Sequence, residues 1–169
     1  MLCEFGYFCF RKTTHALSTI DDKGARFVYV SHSQKWGETM ELLLVFVAAA
    51  AAFMFGGAWY GALGKPWMKA AGITPEQVEG GAMKSPGPYI ISFIMLLLVA
   101  GMMRHGLTMA GIGSIGKSAL AGFGIGAFMA TPWIVTNHAY GMKPRTLTLI
   151  DGGYATIGCT VIGLVLGLF

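Results

Sequence analysis

The stretch LLLVFVAAAAAFMFGGAWYGAL, from Leu42 to Leu63, decides the fold class of this protein. It is uncharged and mostly aliphatic, and it supplies the roughly 20 residues that an α-helix needs to cross the hydrocarbon core of a bilayer. Near its end, Trp59 and Tyr60 fit the membrane interface, where an apolar ring with one polar atom is most stable. The stretch therefore predicts a first transmembrane helix.

The composition of the whole chain supports a membrane location. Apolar residues make up 54% of the 169 residues and charged residues only 12%, whereas a soluble globular domain carries about 25% charged residues. Nine of the twenty charged side chains fall in residues 1–39, so the remainder is poorer still in charge. No clustered basic patch suggests nucleic acid, and the predicted partner is the lipid bilayer.

Further apolar runs predict transmembrane helices over about residues 88–103, 117–140 and 146–169. The first of these can extend past Arg104 and His105, because their side chains can reach water from the end of a helix. In the next run, Pro132 removes one backbone donor and predicts a kink near Phe128. The predicted fold is an all-α integral membrane bundle of four transmembrane helices with a short amphipathic loop helix.

Residues 64–87 form the longest predicted loop. Within it, Thr74-Pro75-Glu76-Gln77 matches a capping box and predicts the start of a short surface helix. Upstream, GKPWMKA from Gly64 to Ala70 places Trp67 and Met68 between two lysines. This pattern predicts a segment that lies along the lipid headgroups.

Three small-residue motifs occur in the spans: Gly57-x-x-x-Gly61, Gly122-x-x-x-Gly126 and Gly163-x-x-x-Gly167. Such motifs let helix backbones approach closely, although in a chain with 25 glycines they also arise by chance. Packing within one bundle is favoured, and a homo-oligomer through these faces is the alternative.

Residues 1–39 lack the apolar core and cleavage site of a signal peptide and show no clear periodicity. The codons for Trp36-Gly37-Glu38-Thr39 give a purine-rich tract directly before Met40, typical of a bacterial ribosome-binding site. We therefore expect 1–39 to be a non-native leader and 40–169 to be the transmembrane domain. The alternative is a disordered cytoplasmic tail, and the intact mass of protein from its own host distinguishes the two.

Basic residues predict the orientation in the membrane. With a start at Met40, the side with loops 64–87 and 141–146 holds Lys65, Lys69, Lys84, Lys143 and Arg145, against Arg104 and Lys117 on the other side. Because cytoplasmic loops carry the excess of Lys and Arg, both loops are expected in the cytoplasm and both termini outside. Translation of residues 1–39 would invert this orientation.

Polar residues gather at one predicted membrane face: Asn137, His138, Tyr140, Arg145, Asp151 and Tyr154, together with Trp59, Tyr60, Lys65 and Trp67. Asp151 lies more than one turn inside the fourth span, where an unpaired carboxylate is costly. We expect it to form one hydrogen-bonded cluster with His138 and Arg145, roofed by the two tryptophans. The cluster could be a proton or cation site, but a structural role, helped by the helix dipole, is favoured.

No enzyme motif is present. A Ser-His-Asp order, zinc-ligand spacing and a phosphate-binding glycine loop are all missing from the sequence, and Cys3, Cys9 and Cys159 have no metal or redox spacing. His105 and His138 end neighbouring antiparallel spans about 30 Å apart, too far to share a haem. We therefore predict no catalytic residue, metal or cofactor. The favoured function is a scaffold, oligomer subunit or small-solute permeation unit, and the alternative is a membrane enzyme or proton-coupled carrier that uses His138 and Asp151.

Two stretches carry a family resemblance: FGGAWYGALGKPWMKAAGIT, residues 55–74, and NHAYGMKPRTLTLIDGGYATIG, residues 137–158. Together they resemble domain-of-unknown-function family 1761, which consists of small bacterial and fungal membrane proteins. The resemblance covers Met40 to the C-terminus and implies a membrane fold but no activity. It singles out Trp59, Tyr60, Gly64, Lys65, Trp67, His138, Ile150, Asp151, Gly153 and Tyr154.

Overall fold

The computed structural model describes residues 32–80 and 85–168. The described helices are α1 (His32–Ala71), α2 (Pro75–Gly80), α3 (Gly87–Met109), α4 (Ile115–Ile125), α5 (Thr131–Tyr140) and α6 (Arg145–Leu166). A π-helical turn, Gly126–Ala130, joins α4 to α5. Residues 1–31 of the predicted leader lie outside the described residues, and the predicted start at Met40 stays a prediction. α1 nevertheless begins inside the stretch where no helix was predicted.

Four helical segments are long and apolar enough to cross a membrane: 39–71, 87–109, 115–140 and 145–166. They confirm the predicted four-span, all-α membrane fold. α2, outside these spans, confirms the predicted short helix. At its start the backbone N–H of Thr74 donates to Oε1 of Gln77 over 2.9 Å, as the capping box predicts. The backbone N–H of Glu76 and the Thr74 side chain lower the pKa of the Glu76 carboxyl.

α1 is longer than predicted. It continues through Pro66 to Ala71, so residues 64–70, which were predicted as part of a loop, are helical and continuous with the first span. Proline removes one hydrogen bond within a helix, but the helix is held beyond this point by a tertiary contact. Trp67 lies two turns after Tyr60 on the same face, and both side chains bind Asp151 on α6.

The third span is irregular where Pro132 predicts a kink. The π-helical turn contains Phe128, and the backbone N–H of Thr131 bonds to the carbonyl of Gly126, five residues earlier. A wider turn of this kind accommodates the absence of a backbone donor at Pro132 and interrupts the regular hydrogen-bond pattern.

The buried core contains many small side chains. Alanines of α1 and α3 meet larger residues of α3 and α6 in one cluster: Ala48, Ala49, Ala52, Ala100, Met103, Leu107, Cys159, Ile162 and Leu166. The thiol of Cys159 is free and buried, so this residue packs as a small apolar side chain. Small side chains allow close helix contacts where lipid provides no hydrophobic drive for association.

Two of the three small-residue motifs pack within the chain. A Cβ at Gly122 would collide with the backbone carbonyl of Cys159, and one at Gly163 would collide with the carbonyl of Ser118. These glycines therefore set the close approach of α4 to α6. Gly57 and Gly61 differ, because a Cβ there would meet no described atom within 4 Å.

An ion pair lies at the end of the bundle where α3 ends. Arg104, near the end of α3, lies 3.1 Å from Oε1 of Glu41 on α1. The arginine was expected to reach water from the end of the helix, and its guanidinium also lies within reach of a carboxylate. Both side chains keep contact with solvent, so the pair contributes at most about 1 kcal/mol.

Candidate functional site

Asp151 is the centre of the polar site. Its Oδ1 atom accepts two hydrogen bonds of 2.9 Å, one from the hydroxyl of Tyr60 and one from the indole nitrogen of Trp67. Both donors are on α1, seven residues apart and therefore on one helix face. One carboxylate oxygen thus joins two turns of α1 to α6.

The other oxygen faces the third span. Nε2 of His138, in the last turn of α5, lies 3.6 Å from Oδ2 of Asp151. This distance exceeds that of an ordinary hydrogen bond, so the contact is mainly electrostatic and is strongest when the ring is protonated. Nδ1 of the same ring lies 3.1 Å from the hydroxyl of Thr148, which can donate or accept. Both the carboxylate and the imidazole are largely buried, with side-chain exposures of 21% and 20%.

Trp59 makes a second connection between α1 and α6. Its indole nitrogen donates to the backbone carbonyl of Ile150 over 3.1 Å. The ring lies directly against Gly153, where a Cβ would come within 3.0 Å of ring carbon Cζ2. The tryptophans were expected to roof the cluster, but Trp59 and Trp67 instead take part in it as hydrogen-bond donors.

Tyr154 belongs to an aromatic group beside the carboxylate. Its ring is parallel to that of Phe55 at a centroid distance of 6.2 Å, and it lies 5.1 Å from the ring of Tyr60. Gly56 makes room for it, because a Cβ there would approach the Tyr154 ring to 2.9 Å. Such tilted and offset aromatic contacts are favourable beyond the area that they bury.

Threonines that the sequence analysis did not single out connect the third and fourth spans. The hydroxyl of Thr131 donates to the carbonyl of Gly152 over 3.0 Å, so Thr156, 2.9 Å away, donates to Thr131. In the sequence, each is a threonine within an apolar span, where a hydroxyl favours a hydrogen bond to another helix. These bonds lie directly after the π-helical turn.

Several predicted site residues lie apart from the carboxylate. Asn137, Tyr140, Lys65 and Arg145 are exposed, and no described hydrogen bond or ion pair joins them to Asp151. Arg145 is six residues before Asp151, so the two side chains point about 120° apart around the helix axis. Gly64 packs against no described side chain, since a Cβ there would have open space.

The arrangement is suited to holding a carboxylate in place. An indole N–H can only donate, so Trp67 always presents a donor to Oδ1. Within residues 32–80 and 85–168, no group of three or more His, Cys, Asp or Glu side chains could hold a metal ion. The site provides hydrogen bonds to the partly buried carboxylate of Asp151 and places the imidazole of His138 beside it.

A family model described as Protein of unknown function (DUF1761) matches residues 43–167, well over half of the chain. This protein belongs to the DUF1761 family. No curated protein and no solved structure matches the chain. The match to DUF1761 includes every residue of the cluster around Asp151, so the site lies within the family domain. Ile150 contributes to it through its backbone carbonyl and Gly153 through its lack of a side chain.

Proposed function

We propose that this DUF1761 protein is a non-catalytic membrane scaffold, whose polar cluster holds three spans in fixed register. The observation that carries the proposal is the engagement of both oxygens of Asp151 by side chains of other spans. Oδ1 accepts from Tyr60 and Trp67 on α1, and Oδ2 faces His138 on α5. A carboxylate whose oxygens are held by side chains of other helices is suited to a structural role, whereas a carrier or an enzyme needs a carboxylate that faces its substrate.

The alternative is a proton-coupled carrier or membrane enzyme that uses His138 and Asp151. The observation in its favour is that each of these side chains keeps about one fifth of its surface exposed. A carrier would have to release Oδ1 from two donors during each cycle. The separate bond from Trp59 to the Ile150 carbonyl would oppose that movement, because it fixes α1 against the same turn of α6.

Proton flux distinguishes the two functions. In vesicles with an imposed pH gradient, we expect the protein to leave the decay of the gradient equal to that of empty vesicles. Asp151→Asn should give the same decay, and a protonophore added at the end should collapse the gradient in every sample. Faster decay with the wild-type protein, absent in a folded Asp151→Asn variant, would contradict the scaffold function and support the carrier.

We further propose that the protein is integral to the cytoplasmic membrane, with the end that contains Lys69 and Arg145 in the cytoplasm. The basis is the distribution of Lys and Arg in a chain that starts at Met40. With Cys159→Ser as background, Lys69→Cys and Arg145→Cys should resist a membrane-impermeant thiol reagent in whole cells. Lys117→Cys, at the other end, should react. The reverse pattern of labelling would place the chain in the opposite orientation.

The scaffold function includes contact between copies of the chain through the first span. Gly57 and Gly61 form the one small-residue motif that does not pack inside the described bundle, and such motifs permit close helix pairing. With Cys159→Ser as background and a chain that starts at Met40, Gly61→Cys should give a disulfide-linked dimer on oxidation in membranes. Gly124→Cys, an open position on the third span, should not. Monomers alone with Gly61→Cys would contradict this contact.

A further inference from the structure

Four cations lie at the end of the bundle that contains Asp151, and we call them the basic rim: Lys65, Lys69, Lys143 and Arg145. All four side chains are exposed. None forms an ion pair with a described residue, in contrast to Arg104 at the opposite end, which pairs with Glu41. The rim thus carries four positive charges that the described part of the chain does not neutralise.

The contacts of Asp151 place the basic rim at one end of the bundle. Trp67 is bonded to Asp151, so α1 and α6 are aligned at these two residues. Lys69 lies about 3 Å further along α1, and Arg145 lies about 9 Å back along α6 toward the same end. Lys143 is two residues before Arg145, in the turn between α5 and α6. Lys65, two residues before Trp67, lies about 3 Å on the other side of the level of Trp67 and Asp151, so the basic rim extends over roughly 12 Å at this end of the bundle.

The dipole of α6 strengthens the positive potential of the basic rim, and neither Asp151 nor Glu76 pairs with a rim cation. The N-terminus of α6 has no capping side chain and no acid in its first turn, so its dipole adds to the charge of Arg145. Asp151 is directed toward α1 and α5. Glu76 on α2 is exposed and forms no described ion pair with the rim.

The surface beside the rim is apolar and aromatic. Trp133 and Tyr140 lie on one face of α5, seven residues apart, and are 72% and 89% exposed. This face leads directly to the turn that carries Lys143. Aromatic rings in this position fit the membrane interface, with the cations beyond them at the level of the headgroups.

We propose that the basic rim binds the phosphate headgroups of anionic phospholipids in the leaflet that it faces. Unpaired cations at headgroup level attract anionic lipid, and exposed apolar surface beneath them accommodates the acyl chains. A soluble anion would use only the charges, whereas a lipid uses both features. This inference goes beyond the scaffold function and does not require it.

Native mass spectrometry of the full chain in detergent tests the proposal, with lipids titrated in and bound molecules counted. Phosphatidylglycerol should bind more tightly than phosphatidylcholine. Each rim cation contributes a factor of about five. Lys143→Gln with Arg145→Gln should therefore weaken phosphatidylglycerol binding by about 25-fold, as should Lys65→Gln with Lys69→Gln. Lys143→Arg with Arg145→Lys, which keeps both charges, should bind as the wild type does.

Lys117→Gln is the matched control, because Lys117 is an exposed cation at the opposite end. It should leave phosphatidylglycerol binding unchanged. Equal binding of the two lipids, or a loss with Lys117→Gln as large as that with a rim pair, would overturn the proposal. Displacement of phosphatidylglycerol by millimolar inorganic phosphate would also overturn it, since the rim would then recognise the free anion.

Discussion

Gly122→Val is expected to lower the free energy of unfolding by about 3 kcal/mol, at the upper end of the usual cost of overpacking. A side chain at this position would collide with the backbone carbonyl of Cys159 and come within 3.2 Å of the Met103 methyl. The methionine can rotate away, but the carbonyl cannot, so α4 and α6 would have to separate. Separation would also weaken the contact of Gly163 with Ser118.

Gly124→Val is the matched control for this prediction. It places the same side chain two residues away in the same helix, where a Cβ meets no described atom within 4 Å. Reversible unfolding in mixed micelles should show a large loss for Gly122→Val and a change within about 0.5 kcal/mol for Gly124→Val. Equal effects would mean that the close approach of α4 to α6 does not stabilise the bundle.

Asp151→Leu is expected to cost about 3 kcal/mol, because removal of one partner from a buried polar group leaves the others unsatisfied. The hydroxyl of Tyr60 and the indole N–H of Trp67 would both lose their acceptor. Asp151→Asn should cost only about 1 kcal/mol, since the amide oxygen can still accept both bonds and only the charge-assisted part is lost.

Unfolding of the two variants under the same conditions checks this order. The Asn variant separates the role of the hydrogen bonds from that of the negative charge. If Asn and Leu were equally destabilising, the charge facing His138 would be the main contribution. If both matched the wild type, the cluster would contribute nothing to stability.

The sequence predicted the spans because a bilayer imposes a minimum apolar length, which can be counted directly. It also pointed to Asp151 and His138, because polar groups in or beside an apolar span are costly enough to need partners. Apolar length and the cost of a buried polar group are local properties of the chain. They hold whatever the helices pack against.

The partners of Asp151 could not be predicted in the same way, because they depend on how each helix is rotated against its neighbours. Arg145 was expected beside the carboxylate but points elsewhere around α6. Trp67 was expected along the headgroups, because it lies with Met68 between two lysines. The bond from Trp67 to Asp151, a tertiary contact, keeps that turn helical instead. The hydrogen bonds of Thr131 could not be predicted for the same reason, since a hydroxyl in the sequence does not identify its acceptor.

If Asp151 serves the structure by joining α1 to α6, its hydrogen bond from Trp67 must contribute to stability, and a double-mutant cycle of Trp67→Phe with Asp151→Leu measures that contribution. The two residues share a 2.9 Å hydrogen bond, so we predict a coupling free energy of unfolding of about 1 kcal/mol. Trp133→Phe with Asp151→Leu should be additive, because Trp133 is 72% exposed and makes no described contact with the carboxylate. Additivity of the Trp67 and Asp151 substitutions within about 0.3 kcal/mol would contradict this structural role.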